Sequence, residues 1–222
     1  MDTGNTPKQY KPRKRWLRSL KGHWLSYVIL VPWCAFTVLI FLWLLTASLK
    51  SNQELFANMW GPPQTLNWEN YSKAWRVAKM GSYFTNSVFI VSISVAVTLL
   101  FGAMAAYALA RIPFLGRTPI LYSLIAGMGV PIQLLLVPLF MLLNTLHLVN
   151  DHLGLILSYV ALLLPFTTFL LTGFFRTLPT EMEESAALDG ASDFAIFWRI
   201  MLPLSGPGLA TAAIFIFITL WN

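Results

Sequence analysis

Five stretches of this 222-residue chain contain no Asp, Glu, Lys or Arg: 22–49, 80–110, 118–150, 152–175 and 200–222. Each is mostly apolar and longer than the ~20 residues a helix needs to cross ~30 Å of hydrocarbon. No water reaches that layer, so the backbone must satisfy its own hydrogen bonds, as helices or as a closed barrel. Barrel strands alternate apolar and polar residues, and these runs do not. The chain therefore reads as an all-α membrane protein, a polytopic helical bundle with spans at about 26–49, 83–109, 119–143, 153–175 and 207–222. Composition agrees: 57% of residues are apolar and 11% are charged, against roughly 25% charged in a soluble domain. That excludes a disordered chain, a small secreted scaffold and an ordinary soluble enzyme. The lone Cys34 excludes an internal disulfide framework and a multi-cysteine metal site.

The charges orient the bundle. Lys8, Lys11, Arg13, Lys14, Arg15, Arg18 and Lys21 crowd the tail 1–25, which the positive-inside rule keeps in the cytoplasm. Arg111, Arg117, Arg176 and Arg199 then fall on the same side, and the opposite loop 144–152 has no Lys or Arg. The loop 50–79 runs mildly against the trend with Lys50, Lys73, Arg76 and Lys79, beside Glu54 and Glu69. A topogenic tail needs no nucleic acid as partner. The run 22–49 is too long for the apolar core of a cleaved signal peptide, so it reads as an uncleaved anchor. In the outer loop Pro62-Pro63 breaks any helix. Asn67 is then expected to cap a short one carrying Trp68, Tyr71 and Trp75 on one face. That face suits the headgroup layer or an external partner.

Within the spans, Gly102, Ala106 and Ala110 recur every four residues, a spacing that lets helices approach closely. Span three holds Gly127, Gly129, Pro131, Gln133 and Pro138, and span four holds Pro165. These prolines predict broken helices. Gln133, Tyr159, Thr167 and Thr168 are candidates for lining a polar pathway; the alternative is that they bond across packed helices. Proton- and sodium-coupled carriers commonly use intramembrane ionisable groups, which these runs lack. His23, His147 and His152 have no partners at metal-ligand spacing. No Ser-His-acid set and no phosphate-binding loop is present, so no catalysis or nucleotide binding of those kinds is expected, and energy for any pumping comes from another subunit or a gradient.

The stretch 176–205 carries the most specific pattern. Thr180 and Glu183 have capping-box spacing. Glu181, Glu183 and Glu184 favour the first turn of a helix through its dipole. Gly190 is placed to end that helix in a left-handed conformation. Ser192 or Asp193 is expected to cap a second helix from about Phe194 to Met201, with Pro203 ending it and Pro207 opening span five. A short acidic helix on a glycine corner can transmit a push to a membrane bundle; on physical grounds alone, an ordinary loop hairpin is the safer reading.

Glu184, Ala186, Gly190, Ile200, Leu202 and Pro203 match, spacing for spacing, the pattern Glu-Ala-Ala-x3-Gly-x9-Ile-x-Leu-Pro. Only Ser185 departs from it, and Ser is also small. The pattern resembles that of membrane subunits of binding-protein-dependent ABC importers. Gly154-Leu155-Ile156-Leu157, Leu164-Pro165-Phe166, Gly173-Phe174-Phe175, Leu188-Asp189-Gly190-Ala191-Ser192, Asn86-Ser87, Lys50, Asn70-Tyr71 and Trp221-Asn222 resemble its sugar-type, maltose-type branch. The resemblance implies a transmembrane domain over 26–222 with a cytoplasmic coupling loop at 176–205. Glu184, Ser185, Ala186, Asp189, Gly190, Ile200, Leu202 and Pro203 would couple it to an ABC ATPase dimer. It also implies a second permease subunit, an extracytoplasmic solute-binding protein and a sugar substrate, in the bacterial cytoplasmic membrane. No cofactor is expected in this chain, and ATP and Mg would be bound by the ATPase. A sixth span is expected after Trp221-Asn222, so the chain reads as truncated. A polyamine or glycerol phosphate substrate, or a truncated non-transporting assembly protein, remain alternatives.

Overall fold

The structure is a computed structural model and describes residues 24–221. The basic tail 1–23, with His23, and Asn222 lie outside the described residues. Every regular element among the described residues is helical. The chain forms two compact units, Met1–Lys79 and Met80–Asn222.

In the first unit, α1 (Trp24–Ser48) is the expected first span. It is followed by α2 (Asn52–Ala57) and α3 (Glu69–Arg76). Lys50 ties the loop together. It is 4% exposed, and its Nζ donates to the carbonyls of Asn58 at 2.7 Å, Gly61 at 2.6 Å and Met59 at 3.3 Å. Carbonyl dipoles replace the water that a buried ammonium loses. Asn67 does not cap α3: Trp68 holds that position, without a side-chain cap bond. The Asn67 amide is spent elsewhere, donating to Leu49 O at 3.2 Å. The Asn70 amide bonds Ser48 O and Lys50 O, and the Tyr71 hydroxyl meets that of Ser48 at 2.6 Å. These bonds bind α3 to the end of α1. Trp68, Tyr71 and Trp75 are exposed.

In the second unit, α4 (Met80–Arg111) and α7 (His152–Thr177) are each long and apolar enough to cross a membrane. At ~1.5 Å per residue, the 32 residues of α4 reach about 48 Å, more than the hydrocarbon thickness. The two helices run in the same direction, since Phe89 meets His152, Gly102 meets Thr167 and Tyr107 meets Phe175. Their seam is the expected small-residue stripe. Gly102, Ala106 and Ala110 are all buried, and a Cβ on Gly102 would come within 2.7 Å of Thr167 Cγ2. Leu171, Phe175, Ile196, Phe197, Met201 and Ala212 close the core around it.

Span three is not one helix. It is α5 (Arg117–Met128) and α6 (Ile132–Thr145), bent by 102°. Pro131 sits in the extended region at the break, next to the poor helix formers Gly127 and Gly129. Pro138 and Pro165 break nothing, contrary to expectation; each lies inside a continuing helix, α6 or α7. Each helix runs past one lost hydrogen bond, a defect tolerated in membrane helices. α8 (Glu181–Leu188) precedes α9 (Asp193–Leu204) and α10 (Gly206–Leu220), the last two bent by 74°. Pro207 stands in the first turn of α10, as expected. The second unit thus has two long spans and two bent pairs, and α1 adds another span.

Candidate functional site

The loop between α7 and α10 is built from its corners. At the C-terminus of α8, Gly190 has φ +82°. The Gly190 amide bonds Ala187 O and the Ala191 amide bonds Ala186 O, each at 3.0 Å. Together they form the paired capping motif that a left-handed glycine allows. Ser192 then caps α9, its Oγ accepting from the Ala195 amide at 3.3 Å.

Two local expectations fail. Thr180 is in the helical region and makes no side-chain cap bond, because an N-cap needs extended backbone to aim its hydroxyl. Glu183, its intended partner, turns to Arg111 instead. Pro203 does not end α9, which continues to Leu204. The preceding turn, Phe197–Met201, is π-helical, and the Leu202 amide bonds Phe197 O five residues back. The wider turn takes the Arg199 carbonyl out of the four-back register in which a proline ring would strike it.

The α8 surface divides cleanly. Ala186 packs on the core and Glu183 points inward, while Glu181, Met182, Glu184, Ser185, Leu188 and Asp189 are exposed. Leu188 is 90% exposed and Met182 49%, so two apolar knobs flank the carboxylates. Of the predicted coupling residues, Glu184, Ser185, Asp189 and Gly190 lie on this exposed surface. Ile200 and Leu202 pack against the same core as Ala186, and Pro203 is exposed on α9.

Sequence inspection missed the anchor. Arg111 Nε lies 3.1 Å from Glu183 Oε1, with side chains 10% and 16% exposed. Arg111 Nη2 also donates to Phe175 O at 2.7 Å and to Leu178 O at the C-terminus of α7. One guanidinium therefore joins the end of α4, the end of α7 and the inner face of α8. Burial pushes the Glu183 carboxyl above the usual range, Arg111 draws it back, and Asp193 and Glu184 push it up again. Arg117 does similar work one loop away, donating to Leu109 O and Ala110 O at the end of α4, where the helix dipole favours a cation. The only signal in the sequence was a charge closing an apolar run; its partner is 72 residues away.

The four pathway candidates do not share one surface. A cavity of about 650 Å³ between α4, α6 and α7 is lined by Tyr159 together with Asn86, Ser158, His152 and many leucines. Gln133 is exposed on α6 and does not line it. Thr167 and Thr168 are fully buried, and the Thr167 hydroxyl donates to Leu163 O at 2.9 Å. Thr167 packs on the seam, where the close approach at Gly102 leaves no room for solvent beside it.

A family model described as "Binding-protein-dependent transport system inner membrane component" matches residues 98–222. The chain is 44% identical over 198 residues to the diacetylchitobiose uptake system permease protein NgcG of Streptomyces coelicolor, covering 89% of this chain and 66% of that protein. It is 35% identical over 180 residues to the melibiose/raffinose/stachyose import permease protein MelC of Bacillus subtilis, covering 81% of this chain and 65% of that one. The chain thus spans about two thirds of the length of these curated relatives. A bacterial ABC transporter involved in the import of the acidic polysaccharide alginate shares its fold, with a TM-score of 0.74 at 23% identity over 98% of this chain and 74% of that chain.

Proposed function

The chain belongs to the family of binding-protein-dependent transport system inner membrane components, a family of multi-pass transport subunits rather than enzymes, and from that premise we propose that it is the permease subunit of an ATP-driven importer moving a sugar or oligosaccharide inward across the cytoplasmic membrane. The observation that carries this reading is the exposed acidic helix α8, held on the Gly190 corner in a chain whose relatives are named for sugar uptake.

In this reading the N-terminus and the loop 176–205 face the cytoplasm. Glu184, Ser185 and Asp189 present the contact face to an ABC ATPase dimer, with Met182 and Leu188 filling apolar hollows beside them. Gly190 sets the corner, while Ala186, Ile200, Leu202 and Pro203 fix the angle of the loop. ATP and Mg bind in the ATPase. A second permease subunit completes the pathway, and an extracytoplasmic solute-binding protein delivers substrate. Transport follows if the two pathway conformations bind the closed ATPase dimer with different affinity, since a ligand shifts a conformational equilibrium only by that difference.

Affinity purification from the native membrane in mild detergent tests the proposal. The protein should bring down a phosphate-loop ATPase and a second membrane subunit, and the double variant Glu184→Lys/Gly190→Pro should lose the ATPase while keeping the membrane partner. A folded, inserted protein that captures no ATPase would sink the coupling role.

A further inference from the structure

We propose that the Arg111–Glu183 bridge is a joint through which movement of α8 reaches the membrane bundle, with both side chains as positioning residues rather than contact residues. The inference rests on the importer reading above. No residue of α8 is fully buried, and Ala186 is its packing point on the core. Between α8 and the end of α4 lies an open groove of about 210 Å³, lined by Tyr107, Arg111, Glu183, Ala187, Asp193 and Ile196 among others. α9 packs directly on the end of α4, where the Phe197 and Tyr107 rings lie 5.3 Å apart.

Force passes through close-packed atoms, and an open groove passes none. Across that groove α8 reaches α4 through the polar bridge, beside the apolar route through Ala186 and α9. Arg111 suits that task. Its guanidinium is planar and permanently charged, with donors fixed in a fork. Nε lies 3.1 Å from Glu183 Oε1 as an ion pair without hydrogen-bond alignment, while Nη2 donates to Phe175 O and Leu178 O. A shift of Glu183 thus drags the ends of α4 and α7 together, and these are the two helices of the tightest seam. A lysine offers one point charge and no rigid fork. A pair this dry is a weak source of stability, because desolvation offsets its attraction; a positional role accounts for it better.

The test uses the complete transporter, purified with its ATPase and binding protein and reconstituted in liposomes, with Glu183→Gln, Glu183→Ala and Glu183→Asp. Glutamine has the same shape and removes only the charge. ATP hydrolysis and sugar uptake are measured on the same vesicles. Glu183→Gln should keep the ATPase bound and hydrolysing within about twofold of wild type, while uptake per ATP falls about tenfold, within the usual range of coupling energies. Glu183→Asp should fall between. Spin labels on α8 and at the end of α4 should show a broader distance distribution in Glu183→Gln, a readout that stands even where Glu183→Ala assembles poorly. Uptake and hydrolysis falling in proportion, or a wild-type ratio in both Glu183→Gln and Glu183→Ala, overturns the proposal. A wild-type preparation that binds no ATPase overturns the importer reading instead, and the joint with it.

Discussion

Gly102→Ala is the sharpest probe of the α4–α7 seam. The new Cβ would stand 2.7 Å from Thr167 Cγ2 and 3.2 Å from Thr167 Cβ, well inside the ~3.5–4.0 Å of a comfortable carbon contact. Thr167 cannot easily turn away: it is fully buried and its hydroxyl is bonded to Leu163 O. The helices must part instead. Overpacking of this kind costs about 1–3 kcal/mol, while replacing a mid-helix glycine by alanine returns about 0.5–1 kcal/mol. The net expectation is a loss of about 1 kcal/mol. Thr167→Ser removes the clashing Cγ2 and keeps the hydroxyl. Alone it should cost about 1 kcal/mol for the lost methyl. Combined with Gly102→Ala it should cost less than the sum, by a coupling of about 1–2 kcal/mol. Reversible unfolding in mixed micelles of rising SDS content, followed by tryptophan fluorescence, measures all four corners of the cycle. If Gly102→Ala is stabilising, or the two changes add within about 0.5 kcal/mol, the close approach argued for this seam is wrong.

The remaining predictions concern the two loops. Gly190→Ala should cost about 1 kcal/mol, because its φ of +82° disfavours a Cβ, and Gly190→Asn should cost less; hydrogen exchange at the Ala191 amide, bonded to Ala186 O, reads the difference. Lys50→Met should leave the carbonyls of Asn58 and Gly61 without their donor. At about 3 kcal/mol for the lost charge-assisted bonds, limited proteolysis should cleave 51–61 about 100-fold faster. The Glu183 carboxyl titrates above the ordinary carboxylate range because of burial, so the folded chain holds this proton more readily than the unfolded chain. Its contribution to stability is then full below about pH 4.3 and is lost as pH rises through the folded titration point. Glu183→Gln should flatten that part of the stability–pH curve in the same SDS titration, and an unchanged slope would place Glu183 in water.

Much of the fold was legible because lipid is a demanding solvent. The positions of α1, α4 and α7 follow from charge-free length, and the Gly102-Ala106-Ala110 stripe does pack. Gly190 and Ser192 were equally readable, since each acts on backbone within three residues of itself. What misled was local grammar that neighbours override. Thr180 lost its capping partner to Arg111, Asn67 lost its cap position to the bonds that tie it to Leu49, and Pro203 was absorbed by a π turn. Three prolines of similar appearance behaved differently, and only Pro131, beside Gly127 and Gly129, broke its helix.

By itself, the sequence determined a helical membrane chain with an acidic helix on a glycine corner. Solvation of the backbone and short-range capping act along the chain and leave periodic marks in it. The tertiary structure alone decided that Arg111 meets Glu183, that Thr167 faces the seam rather than the cavity, and that Met182 and Leu188 stand exposed beside Glu184. Those outcomes depend on which faces meet when α4 and α7 pack and α8 settles beneath them. Partners 65 to 72 residues apart leave no spacing in the sequence by which to find them.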